Sequence, residues 1–242
     1  HCVTRRQRQM CIRDRVTIVD HQLAQQRGYW SQVFSTQVLA VHSHLLPNGK
    51  VMFWNADDER GDTTESTFDN PRIWDPITGA FQSIDYPYNI FCSGHAFLPG
   101  GSLFVAGGHI AVSEGKPDAA IYHPTNNTWT NLPDMNAGRW YPTTTILGNG
   151  DVLVVSGDIF PDTVNQLPQV WDTRHNAWRN LTDAQFPWAL YPFLFLAPDG
   201  RVFNAGPSQD TQFIDTSGTG SLTEGPRSSY CLLYTSDAAD EL

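Results

Sequence analysis

The chain has 242 residues, a formal net charge of -10 and only 17% charged residues, with 8 Trp, 19 Gly and 16 Pro. A nucleic-acid partner is excluded by this balance, because phosphate binding needs a basic face. No stretch from 16 to 229 offers the ~18 consecutive apolar residues of a membrane helix, and four cysteines, at 2, 11, 92 and 231, make a poor disulfide framework.

The chain ends differ from the rest. The start "RRQRQMCIRDR" carries five arginines in eleven residues, whereas residues 16 to 230 carry ten Lys and Arg together. Both this stretch and the end "CLLYTSDAADE" resemble one transposase sequencing adaptor translated from its two strands. Residues 1–15 and 230–242 are therefore read as adaptor-derived and excluded from fold reasoning, and residues 16–229 as an internal piece of a gene product. That piece carries 10 Lys plus Arg against 21 Asp plus Glu, a net charge of -11, and Cys92 is its only secure cysteine.

Four stretches then align along the chain, each a turn followed by an apolar run: "LLPNGKVMFW", "FLPGGSLFVAGG", "ILGNGDVLVVSGD" and "LAPDGRVFNAG". Their turn glycines, Gly49, Gly101, Gly150 and Gly200, stand 52, 49 and 50 residues apart. A second anchor recurs in "RIWDPITGAFQSI", "AIYHPTNNTWTNL" and "QVWDTRHNAWRNL", with a degenerate copy "QFIDTSGTG". Each unit thus reads as two hairpins, hence four short antiparallel strands. A four-stranded sheet repeated at about fifty residues predicts an all-β, kelch-type β-propeller. The expectation is a partial ring, about four blades where seven are presumed for the whole, with the aromatics Trp74, Tyr122 and Trp171 packed between sheets. The alternative is a β-sandwich with accidental spacing.

The same count locates candidate chemistry. Cys92 lies nine residues before Gly101 and Tyr141 nine before Gly150, so the repeat puts them at equivalent positions of adjacent blades. With "FCSG" at 91–94 and "RWYP" at 139–142, the stretch from about residue 40 to 215 resembles the propeller of the copper-radical oxidases, the galactose oxidase and glyoxal oxidase group. The resemblance implies a thioether between Cys92 and Tyr141, with Tyr141 as a copper ligand and copper plus the Cys-Tyr radical as cofactors. It also implies oxidation of an alcohol or aldehyde, with carbohydrate a possible partner and dioxygen reduced to hydrogen peroxide. An extracellular or periplasmic location follows by the same route. The family's other copper ligands, a Tyr-His pair and a further histidine, cannot be placed in this chain, so the piece alone is expected to be inactive. Two alternatives stay open: a kelch-type propeller that binds a glycan or protein without copper, and a relative that keeps the Cys and Tyr but lacks the downstream ligands.

Other residues read more plainly. His42 and His44 fall at strand spacing on one face, as polar groups of a blade strand or a ligand pair. His95 is a strand residue or lines a pocket, and His109 reads as a loop residue. Trp140 is directed by strand alternation to the side opposite Tyr141, with shielding of a radical as the alternative. Asp134 and Asp158 are loop residues without an assignable partner, and "NNT" at 126 and "NLT" at 180 match glycosylation acceptors.

Overall fold

Each apolar run becomes an inner strand of a four-stranded sheet. The structure, a computed structural model, describes residues 26–28, 30–55 and 70–229. The chain divides into residues 1–35 and 36–242, and all the described strands belong to the second part. Residues 1–15 and 230–242, which the sequence reading assigns to adaptor, lie outside the described residues.

The first sheet holds β1 (His42–Leu45), β2 (Val51–Trp54), β3 (Arg72–Trp74) and β4 (Phe81–Ser83) in that spatial order. The second holds β5 (Gly94–Phe97), β6 (Leu103–Ala106), β9 (Ala119–His123) and β10 (Thr128–Asn131). Between its second and third strands a small hairpin is inserted, β7 (His109–Ala111) and β8 (Glu114–Gly115). The third sheet repeats the plan with β11 (Thr143–Ile146), β12 (Val152–Val155), β15 (Gln169–Asp172) and β16 (Ala177–Asn180), and with the inserted hairpin β13 (Asp158–Phe160) and β14 (Thr163–Val164). The fourth is β17 (Leu194–Leu196), β18 (Val202–Asn204), β19 (Gln212–Asp215) and β20 (Ser221–Glu224).

All pairing is antiparallel, and the turns explain the register. Gly49, Gly101, Gly150 and Gly200 take φ of 78°, 82°, 87° and 88°, a left-handed conformation open to glycine at little steric cost. The second hairpin of each blade turns on a left-handed Gly79, Asn127, Asn176 or Gly220, so the two Asn replace glycine where the side chain tolerates that conformation.

Alternation along one strand feeds two interfaces. Leu103 and Val105 of β6 join Met52, Trp54 and Ile73 of the first sheet, while Phe104 and Ala106 join Val152, Val154 and Trp171 of the third. Leu153 and Val155 in turn join Leu194, Val202 and Ile214 of the fourth. A strand covered on both faces loses the usual apolar-polar alternation and reads as a continuous apolar run. Burying each such side chain contributes about 1.5–3 kcal/mol relative to exposure. Tyr122 and Trp171 pack towards the preceding sheet as expected, whereas Trp74 of the first described sheet is only half-buried.

Candidate active site

The first strands β5, β11 and β17 adjoin one another across the sheets, and the residues leading into them converge. Cys92, Tyr141 and Tyr191 have φ of 59°, 64° and 46°, left-handed values uncommon for residues other than glycine. Tyr191 lies nine residues before Gly200, as Cys92 and Tyr141 do before their own turn glycines. The Tyr141 amide donates to the Cys92 carbonyl at 2.9 Å and the Tyr191 amide to the Tyr141 carbonyl at 2.8 Å. Three equivalent positions of three adjacent blades are thereby tied in a row by their backbones.

The Cys92 side chain is fully buried, and its sulfur is within hydrogen-bonding reach of Tyr141 and Trp140. Burial pushes the thiol up to about 12 against the weaker opposing effect of those two partners, so it is protonated at neutral pH and is not a thiolate nucleophile. The Trp140 ring lies on the Tyr141 ring with centroids 3.6 Å apart and planes 9° apart. This corrects the expected opposite orientation of Trp140. Alternation presumes extended backbone, and the left-handed turn at Tyr141 returns its ring beneath that of its neighbour.

Arg139 holds this segment in place. Its guanidinium is buried and donates to the carbonyl oxygens of Ser156 at 2.7 Å and Leu167 at 2.6 Å, and to Asn136 Oδ1 and Gln169 Oε1 at 3.0 and 3.3 Å. Desolvation lowers it to about 9, which leaves it charged at neutral pH. The backbone on either side is bound by the inserted hairpins: Arg139 bridges Lys116 and Trp140 bridges Asp158. At Gly115 any Cβ would stand 2.2 Å from the Arg139 carbonyl carbon and the Trp140 nitrogen, so only glycine permits the approach.

His109 corrects a second expectation. It opens β7 rather than lying in a loop, and its Nδ1 accepts the Trp140 indole N–H at 3.0 Å. Asp158 likewise opens β13, while Asp134 lies outside the strands. His42 and His44 do share a face, since both rings lie against Trp54. With them stands His95, whose Nε2 is 3.1 Å from His42 Nδ1. Desolvation first, and then mutual repulsion, lower His42 and His44 to about 3, and burial lowers His95 to about 4. Among the described residues no three His, Cys, Asp or Glu side chains converge as a metal cage. Asn126 sits in an exposed turn, and Asn180 accepts from Gln169 at 2.8 Å.

Two features of the candidate site escape the motif-based reading. Tyr191 carries the same nine-residue count that pairs Cys92 with Tyr141, and that count extended to the fourth repeat finds it. Nothing local announces that Arg139 is buried, since its acceptors come from positions up to 30 residues away.

A run of four-stranded antiparallel sheets on this plan is part of a kelch-type β-propeller. Residues 33–214 match the glyoxal oxidase N-terminus family, and the chain belongs to that family. A WSC domain-containing protein of Arthroderma benhamiae is 30% identical over 174 residues, covering 65% of this chain and 18% of that protein. Galactose oxidase of Gibberella zeae is 24% identical over 214 residues, covering 81% of this chain and 30% of the relative. Aldehyde oxidase GLOX of Vitis pseudoreticulata is 29% identical over 146 residues, covering 54% and 26%. A solved fungal alcohol oxidase of the AA5 family, in complex with copper, superposes with a TM-score of 0.67 at 20% identity, covering 82% of this chain and 44% of its own. The chain thus spans less than a third of these named relatives and under half of the solved structure. Among the described residues no helix is long and apolar enough to cross a membrane.

Proposed function

We propose that these residues are part of a larger secreted copper-radical oxidase acting on an alcohol or aldehyde. The observation that carries this reading is the juxtaposition of the buried Cys92 thiol with Tyr141, from adjacent blades. A sulfur bonded ortho to the phenol oxygen donates electron density into the ring and spreads unpaired spin. Tyr141 then gives up an electron more readily. Trp140 covers one face of that ring and excludes water and small reductants from it.

Of the groups that would hold copper, this chain offers the Tyr141 phenol oxygen. The remaining ligands would come from the rest of the larger protein. Copper bound there supplies two-electron chemistry, in which the substrate gives up two hydrogen atoms and dioxygen becomes hydrogen peroxide. Arg139 and the two inserted hairpins fix the Trp140–Tyr141 segment at that position.

Intact mass tests the reading. The whole protein, exposed to copper and air, should fall by two hydrogens relative to its copper-free form, and Cys92→Ser should show no loss. An unchanged mass with a titratable Cys92 thiol would leave the propeller as a copper-free module that binds a glycan or a protein.

A further inference from the structure

Tyr191 is the third residue at the repeat position that supplies Cys92 and Tyr141, and it contacts Tyr141 and the residue that follows Cys92. Its ring lies 4.5 Å from that of Tyr141 with planes 18° apart. Two rings this close and both nearly parallel to a third would overlap if they shared one of its faces. Trp140 and Tyr191 therefore take opposite faces, and the Tyr141 ring is clamped between them. The Tyr191 hydroxyl reaches the Ser93 carbonyl at 3.4 Å, beside Cys92, so the clamp spans from the Tyr141 blade back to the Cys92 blade. Pro192 adds a fixed point: its carbonyl accepts from Thr143 Oγ1 at 2.8 Å, which ties the residue after Tyr191 to the strand after Tyr141.

We infer that Tyr191 is a positioning residue for maturation of the site: its ring holds that of Tyr141 in the orientation from which the ring carbon beside the phenol oxygen meets Cys92 Sγ. The inference rests on the reading that this bond forms. In that reaction one S–H and one ring C–H bond break, one C–S bond forms, and the two electrons and two protons pass to dioxygen at the copper site as hydrogen peroxide. Tyr191 is neither oxidised nor bonded in the step. It removes the ring rotation that would otherwise carry the reacting carbon away from sulfur, and misplacement by about 1 Å is enough to slow an oriented reaction by roughly two orders of magnitude.

The test uses the whole protein, purified copper-free with its thiol reduced, then given copper(II) and air. Loss of two hydrogens is followed by intact mass and, independently, by thiol titration in denaturant. Tyr191→Phe keeps the ring and should match the wild-type half-time within about twofold, whereas Tyr191→Leu should lengthen it about tenfold or more. Tyr191→Asn removes the ring but accepts a left-handed φ, so it tests the same loss without the strain that leucine meets there, and should be equally slow. Equal half-times for all four proteins would overturn the role of Tyr191 and leave the bond intact. Slowing by Tyr191→Phe as much as by Tyr191→Leu would overturn the ring-clamp mechanism. A wild-type protein that never loses its two hydrogens would overturn the underlying reading as well.

Discussion

Arg139 shows how a single residue can fix a site it never touches with its charge. Among the described residues its guanidinium has no carboxylate partner; its two terminal nitrogens donate to two backbone carbonyls and two side-chain amides, while Nε is left without a partner. Such an arrangement is costly to interrupt, because each buried acceptor left unmade costs on the order of 1–3 kcal/mol. Arg139→Ala should therefore lower the melting temperature by about 6–12 °C, at roughly 2–4 °C per kcal/mol for a protein of this size. Arg139→Lys should rescue little of that loss, since one ammonium cannot reach four acceptors arranged around a planar fork. Differential scanning calorimetry of the two variants checks the prediction, and equal stability of Arg139→Lys and wild type would contradict it.

The pairing of β1 with the adjoining blade carries a pH dependence at the scale of elements. His42, His44 and His95 hold folded values of about 3, 3 and 4 against an ordinary 6.5. The unfolded chain takes up protons below 6.5 while the folded chain does not, so the contribution is complete above 6.5 and lost as pH falls towards the folded values. The slope is at most about 1.4 kcal/mol per histidine per pH unit. The melting temperature should fall steadily from pH 6.5 to 4.5, and a His42→Gln, His44→Gln, His95→Gln variant should show a flatter profile. The blades themselves are legible beforehand because their signals are local: the turn glycines, the apolar runs and the Trp or Tyr anchor recur within each unit. The inserted hairpins are not, because β8 and β14 are two residues long and too short for any alternation to register. The direction of Trp140 fails for a related reason, since a strand rule is applied three residues before the strand begins. Cys92 and Tyr141 are found by counting through the repeat, and the same count passes over Tyr191 only when it stops at the third unit.

For the molecule as a whole, the outer face of the fourth sheet is the consequential feature. Phe195, Phe203 and Phe213 are register partners across β17, β18 and β19, and they face away from the core that Leu194, Val202 and Ile214 form with the third sheet. Arg201 lies over the Phe213 ring at 4.3 Å, but Phe195 is still 60% exposed. In the other three sheets the corresponding face is occupied by the next blade, so among the described residues this aromatic ladder is the one left without a neighbour of its kind. A repeat stack is stable in proportion to its interfaces, and an exposed apolar sheet face is an association surface. The 242-residue chain should therefore self-associate at micromolar concentration, with sedimentation coefficients that rise on concentration. Phe195→Glu combined with Phe203→Lys should reduce that association. A sharp thermal transition from a concentration-independent monomer in the unsubstituted chain would show that the ladder is already satisfied and that four blades suffice.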